Sequence, residues 1–145
     1  MQADGACPVA KAFETGTEIV PLTKTKTVAD SIAVGYPRDG IKALRAVRNT
    51  NGGMIVVSDN EILDAQKILA SKSGIFAEPA AAASMAGLLR LTENGTIKKD
   101  ETVVILLTGH GLKDIDAVLR NIKMNSEAIE PTLEAISVTI DSILS

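Results

Sequence analysis

The chain has 145 residues, an apolar content of 46% and a formal net charge of −3, which suits one domain with its own hydrophobic core and excludes a disordered chain. The balance of charge excludes the strongly basic face that nucleic acid or an anionic membrane requires, and two Phe, one Tyr and no Trp leave no platform for stacking bases. A lone cysteine, Cys7, excludes an internal disulfide and fits a reducing cytoplasm, and no apolar run approaches the roughly 20 residues that cross a bilayer.

The first residues, MQADGACP, carry no basic region followed by an apolar stretch, so they do not read as a secretory signal. Gln2-Ala3-Asp4-Gly5 reads instead as the end of a strand whose body is missing, and Cys7 before Pro8 as a small packing residue. Asp39 precedes a predicted helix through Arg48, with Ile41, Leu44 and Val47 inward. Arg38, Lys42, Arg45 and Arg48 share one face of it, with Lys24 and Lys26 near in sequence. Such a face is ordinarily solvated, and an anion-binding role is the sharper alternative.

Gly52-Gly53 opens the clearest unit. Met54 to Val57 read as a short buried strand, and Ser58 with Glu61 three residues later forms a capping box. Ile62, Ala65 and Leu69 recur at helical spacing to Lys72, and Gly74 ends the helix. Glu78-Pro79 starts another, with Pro at the favoured first position. Its residues 80–91, AAAASMAGLLRL, are almost all small or apolar, which predicts burial on most sides until Asn94-Gly95 stops it. Thr102 to Leu107 then read as a buried strand, Asp114 to Leu119 as a short helix, and Pro131 as the start of a helix with Leu133, Ile136, Ile140 and Ile143 on one stripe. Helices alternating with short continuous apolar strands predict an α/β fold: part of an open, mainly parallel sheet flanked by helices. No internal repeat or low-complexity linker divides the chain, so one domain over 1–145 is expected.

In open α/β sheets ligands sit beyond the carboxyl ends of strands, and Thr108-Gly109-His110-Gly111 lies at such an end. Two readings stand: a cofactor or substrate contact whose glycines permit close approach, or a tight turn alone. The turn lacks the third glycine of a dinucleotide fingerprint and the Gly-Lys-Ser/Thr of a phosphate loop. One His and one Cys without clustered spacing make a metal site improbable, and His110 reads as a turn residue. Glu78, at the mouth of an apolar helix, is either a residue favoured by the helix dipole or a carboxylate facing a ligand. No lysine stands in an apolar setting of the kind that activates a nucleophilic amine.

Four stretches, "QADGACPVAKAF", "TVADSIAVGYPRDGIKALRAVRNTNGG", "VSDNEILDAQKILASKSGIFAEPAAAASMAGLLRL" and "VVILLTGHGLKDID", together resemble the threonine synthase family in order and spacing across nearly the whole chain. That family comprises pyridoxal-phosphate enzymes of the fold type shared with the tryptophan synthase β chain. The resemblance implies threonine formation from O-phosphohomoserine and water with release of phosphate. It implies that Thr108 approaches the pyridine nitrogen of pyridoxal 5'-phosphate, with Glu78 near the ring and Gly109 clearing space for it. It assigns no catalytic residue here, because the family's Schiff-base lysine lies in an N-terminal Pro-Thr-Gly-Ser-Phe-Lys type motif that these residues lack. The glycine- and asparagine-rich phosphate loop and most of the small domain are also missing. The chain therefore reads as the C-terminal part of the large cofactor-binding domain, expected to be inactive alone. Exposure of a sheet edge is then expected to drive self-association or pairing with the N-terminal segment. A related threonine or serine dehydratase, sharing the "TIAD…AVG" and "EP(S/A)" patterns, is one alternative. A non-catalytic ligand-binding or interaction remnant is another, and "PRDGIKALRAVR" favours the synthase. Whether Met1 is a natural start, a gene break or an expression boundary is left open by the residues themselves.

Overall fold

A computed structural model describes residues 1–116, 119 and 128–144 of the chain. Its elements run β1 (Gln2–Ala3), α1 (Pro8–Thr15), α2 (Gly40–Asn49), β2 (Val56–Val57), α3 (Asp59–Ser73), α4 (Pro79–Glu93) and α5 (Leu133–Leu144). Short 3-10 turns lie at Asp4–Ala6, Asp30–Ile32 and Gly111–Asp114. The two strands pair in parallel, Gln2 opposite Val56 and Ala3 opposite Val57, and the N–H of Gln2 donates to the carbonyl of Ile55 at 3.0 Å. The architecture is α/β, as the alternation of apolar strands and helices predicts. Of the expected strand over Met54–Val57, only Val56–Val57 takes strand form, with Ile55 just before it accepting from Gln2.

Helix α3 begins and ends where its sequence dictates. The Ser58 hydroxyl accepts from the N–H of Glu61 at 3.3 Å, and the Glu61 carboxylate accepts from the N–H of Ser58 at 2.7 Å, so two otherwise unpaired donors are satisfied. At the far end Gly74 adopts a left-handed φ of 70°, the conformation that stops a helix. The same Glu61 carboxylate meets Arg90 of α4 at 3.1 Å, and Arg90 also donates to the carbonyl of Val56. One glutamate thus ties the start of α3 to α4 and, through Arg90, to β2.

The core lies between α3 and α4. Val57, Ile62 and Leu69 pack against Ala77, Ala81, Ala82, Ala83 and Ala86, with Ala3 and Ala29 closing the cluster. Small side chains let the two helices approach closely, and each fully buried aliphatic side chain contributes about 1.5–3 kcal/mol. The deep burial of α4 is confined to its first half, since Leu89 and Arg90 are already exposed. A smaller cluster of Val9, Ala12 and Leu44 joins α1 to α2. Cys7 is free, buried and packed, its Sγ donating to the carbonyl of Asp4 at 3.2 Å.

Several expectations are corrected. No strand forms over Thr102–Leu107. Ile105 and Leu107 pack against the core while Val104 and Leu106 remain 91% and 76% exposed. A strand needs neighbours that take its backbone hydrogen bonds, and among the described residues this segment has none. Of the three apolar residues expected inward on α2, only Leu44 is buried; Val47 is half-buried and Ile41 is 73% exposed. The apolar stripe of α5 is likewise open, with Leu133, Ile140 and Ile143 exposed. Of the short helix expected over Asp114–Leu119, residues 111–114 form a 3-10 turn and 115, 116 and 119 are helical. Residues 117 and 118 lie outside the described residues.

Removing the cap by Ser58→Ala is expected to cost about 1 kcal/mol in urea unfolding. Burial alone would raise the Glu61 pKa, but the Ser58 hydroxyl and N–H and the Arg90 charge outweigh it, so the carboxyl sits below its ordinary value. Its contribution is therefore full above the unfolded carboxylate value and is lost as pH falls through the lowered folded one. Unfolding curves taken between neutral and acid pH should show a shallower acid loss in Glu61→Gln than in the parent.

Candidate functional site

Glu78 occupies the junction between the two core helices. As the N-cap of α4 it has extended backbone, φ −67° and ψ 159°, with Pro79 at the first helical position. Its carbonyl accepts the N–H of Ala82 at 2.9 Å, the first bond of the helix. The residue before it is fixed from α3, where buried Gln66 donates from Nε2 to the carbonyl of Ala77 at 2.6 Å. Against this junction lies the Thr108–Gly111 turn. The N–H of Glu78 donates to the carbonyl of Gly109 at 3.0 Å, and the N–H of Gly111 to that of Phe76 at 2.8 Å. These bonds flank an antiparallel bridge between Ala77 and His110.

The bridge places the Glu78 carboxylate over the backbone of Gly109. A Cβ at that position would lie inside the carboxylate, so only glycine permits the contact. Glu78 is 5% exposed and would be costly to bury alone. Lys113 lies 3.3 Å from its Oε2, and the Ser31 hydroxyl donates to the same oxygen at 3.4 Å. Lys113 Nζ also donates to Ser31 Oγ at 2.9 Å, closing a triangle. Asp59 sets Ser31 in place, because its carboxylate accepts from the Thr27 hydroxyl at 2.5 Å and the Val28 N–H at 3.1 Å. Between these side chains opens a cavity of about 300 Å³, lined by Asp30, Ser31, Glu78, Pro79, Lys113 and Asp114 among others.

Thr108 stands next to Gly109, exposed, and its hydroxyl has no hydrogen-bond partner among the described residues. His110 is a turn residue: Nδ1 accepts from the N–H of Leu112 at 3.1 Å, and the ring stands edge-on to Phe76 with centroids 5.7 Å apart. Among the described residues no group of three His, Cys, Asp or Glu side chains gathers to hold a metal. Two of the three residues singled out in the sequence, Glu78 and Gly109, are in direct contact, and Thr108 adjoins them. Ser31 and Lys113 were not singled out. They come from stretches 47 and 82 positions apart in hydrogen-bonded pairs, and nothing in local spacing announces either.

The family profile of the pyridoxal-phosphate dependent enzymes matches residues 1–109, a span that includes Glu78, Thr108 and Gly109. The chain belongs to the pyridoxal-phosphate dependent enzyme family. Over 121 residues it is 48% identical to the threonine synthase of Methanocaldococcus jannaschii, covering 83% of this chain and 30% of that protein. It is 35% identical over 143 residues to the threonine synthase of Bacillus sp., covering 99% of this chain and 39% of the relative. Among solved structures it resembles maize serine racemase, with a TM-score of 0.52 and 28% identity over 61% of this chain and 26% of that one. The chain thus spans about a third of the length of these threonine synthases. The family accounts for the α/β architecture, and no described helix is long and apolar enough to cross a membrane.

Gly109→Ala should displace the Glu78 carboxylate and cost about 1–3 kcal/mol by denaturant unfolding, the usual penalty for an inserted methyl group in a packed site. Gly53→Ala, where an added Cβ meets nothing within 4 Å, serves as the comparison and should stay within about 0.5 kcal/mol of the parent.

Proposed function

We propose that the chain is the C-terminal part of a threonine synthase, an enzyme that converts O-phosphohomoserine and water to threonine and phosphate on pyridoxal phosphate. The observation that carries this reading is the similarity to proteins named threonine synthase, which in the Bacillus relative runs over almost the whole chain and so through Glu78 and the Thr108 turn. The residues present fit a planar, anionic cofactor on one side. Gly109 lets the Glu78 carboxylate lie against the backbone of the turn, Thr108 offers an unengaged hydroxyl, and a cavity lined by that carboxylate adjoins them.

When bound, pyridoxal phosphate would supply an electron sink for the reacting carbons of an amino-acid substrate. The chain's own residues act around it. The Thr108 hydroxyl is neutral and can donate or accept at the ring nitrogen. Unlike an Asp it does not force that nitrogen to stay protonated. Gly109 makes room for the Glu78 carboxylate. Glu78 presents a carboxylate in a fixed direction, held by Lys113 and Ser31, so that no rearrangement is needed when a ligand enters. Lys113, with 64% of its side chain exposed, brings positive charge to the mouth of the cavity.

Every described lysine is exposed, so none has the desolvated setting that activates an amine for attachment to the cofactor. In this reading the attaching lysine, the phosphate-binding loop and the small domain belong to the portion of the relatives that these residues do not span. The isolated chain is then inactive, pairs with that portion or with itself, and works in the cytoplasm, where a single unpaired cysteine is stable.

Incubation with pyridoxal phosphate followed by borohydride should leave no stoichiometric adduct on a single lysine of the 145 residues. Recovery of one unique modified lysine by peptide mass mapping would overturn the assignment of that role elsewhere. Fused behind the N-terminal portion of the Methanocaldococcus relative, the chain should release phosphate from O-phosphohomoserine, and Thr108→Val should reduce the rate at least tenfold. Formation of a 2-oxo acid from threonine without phosphate release would point to a dehydratase instead.

A further inference from the structure

A second cavity, of about 560 Å³, lies against α2 on the outer side of the α1–α2 cluster and shares no lining residue with the one beside Glu78. Its size falls within the range of about 300–1,000 Å³ typical of small-molecule sites. The floor is apolar, built from Ile19, Pro37 and Leu44, and Leu44 is anchored to Val9 and Ala12 of α1. That floor is fitted to the helix backbone: a Cβ on buried Gly40 would meet Ile19 Cδ1 at 2.5 Å. The chain's single tyrosine, Tyr36, lines the cavity and is 72% exposed, and Ile41 beside it is 73% exposed.

Three arginines complete the lining, Arg38, Arg45 and Arg48. Arg45 and Arg48, three residues apart, lie on one side of α2, and Arg38 stands in the turn just before the helix. Neighbouring Lys42 is matched by Asp39 at 2.9 Å, whereas none of the three arginines has an ion pair among the described residues. Glu18 is the single carboxylate in the lining. Unpaired guanidinium groups around an apolar floor recognise an anion that carries an apolar body. Their planar forks suit phosphate oxygens, and the concentration of positive charge favours a dianion over a monocarboxylate.

We propose that this groove is a binding site for a small organic phosphate: the phosphate lies on Arg38, Arg45 and Arg48, and the body rests on Ile19, Ile41 and Tyr36. The site stands apart from the pyridoxal-phosphate reading, since its residues and those around Glu78 are different.

The test is calorimetric titration of the full chain with phenyl phosphate, inorganic phosphate and phenol. Phenyl phosphate should bind saturably at one site, severalfold more tightly than inorganic phosphate, and phenol should give no saturable heat. Arg45→Gln with Arg48→Gln should weaken phenyl phosphate at least tenfold with unchanged circular dichroism, while Tyr36→Ala weakens it severalfold. Lys98→Gln with Lys99→Gln, which removes two exposed cations outside the groove, should leave binding as it was. Absence of saturable binding, equal affinity in the arginine double variant, or equal loss in the Lys98/Lys99 variant would overturn the site. Equal affinity for inorganic and phenyl phosphate would overturn the role of the apolar floor.

Discussion

The candidate site depends on one contact between segments far apart in the chain. The Phe76–Glu78 stretch and the Gly109–Gly111 turn exchange two backbone hydrogen bonds, and that pairing lays a buried carboxylate on a glycine. Neither side is self-sufficient. Without the turn, Glu78 would lose a backbone acceptor and the surface that covers its side chain. Without the Phe76–Glu78 stretch, residues 109–111 would have no described partner for their ladder bonds. The constraint is steric as well as polar, because a methyl group at residue 109 occupies the same space as the carboxylate.

The rest of the described fold supports that contact from behind. Alanines along the buried face of α4 let it lie close to α3, so Gln66 can reach the Ala77 carbonyl and fix the backbone one residue before Glu78. Asp59, in the first turn of α3, holds the Thr27–Val28 segment and thereby delivers Ser31 to the carboxylate. Lys113 arrives from the other side of the turn. A buried carboxylate needs such company, since removal from water without compensating partners is expensive. Ser31 and Lys113 supply those partners here, so the Glu78 carboxylate keeps one direction.

What could be read from the sequence was what is decided locally. The Ser58–Glu61 box, the Gly74 stop, the Pro79 start and the small apolar face of α4 each follow from residues within a few positions of one another. Glu78 was legible as a candidate because a carboxylate before Pro caps a helix, and the Thr108–Gly109 turn because a hydroxyl and glycines follow an apolar run. The extended run Thr102–Leu107 was not correctly read, because strand formation is a property of a pair and no neighbour is present among the described residues. Ile41 misled for a related reason: helical spacing says that a face is apolar, not that another element covers it. Ser31 and Lys113 were invisible because their roles arise from contacts across the fold. The groove on α2 shows the intermediate case, a basic face legible in the spacing whose apolar floor becomes evident only from the packing of Ile19 on Gly40.

The claim at the centre of this account is that Glu78 and the Thr108–Gly111 turn form one prearranged wall. Residue-resolved amide hydrogen exchange on the chain tests it directly, because the two amides that make the pairing belong to Glu78 and Gly111. The account predicts that both exchange nearly as slowly as amides in the middle of α3 and α4. Exchange of these two amides at the rate of an unprotected peptide, while the helices remain protected, would contradict it.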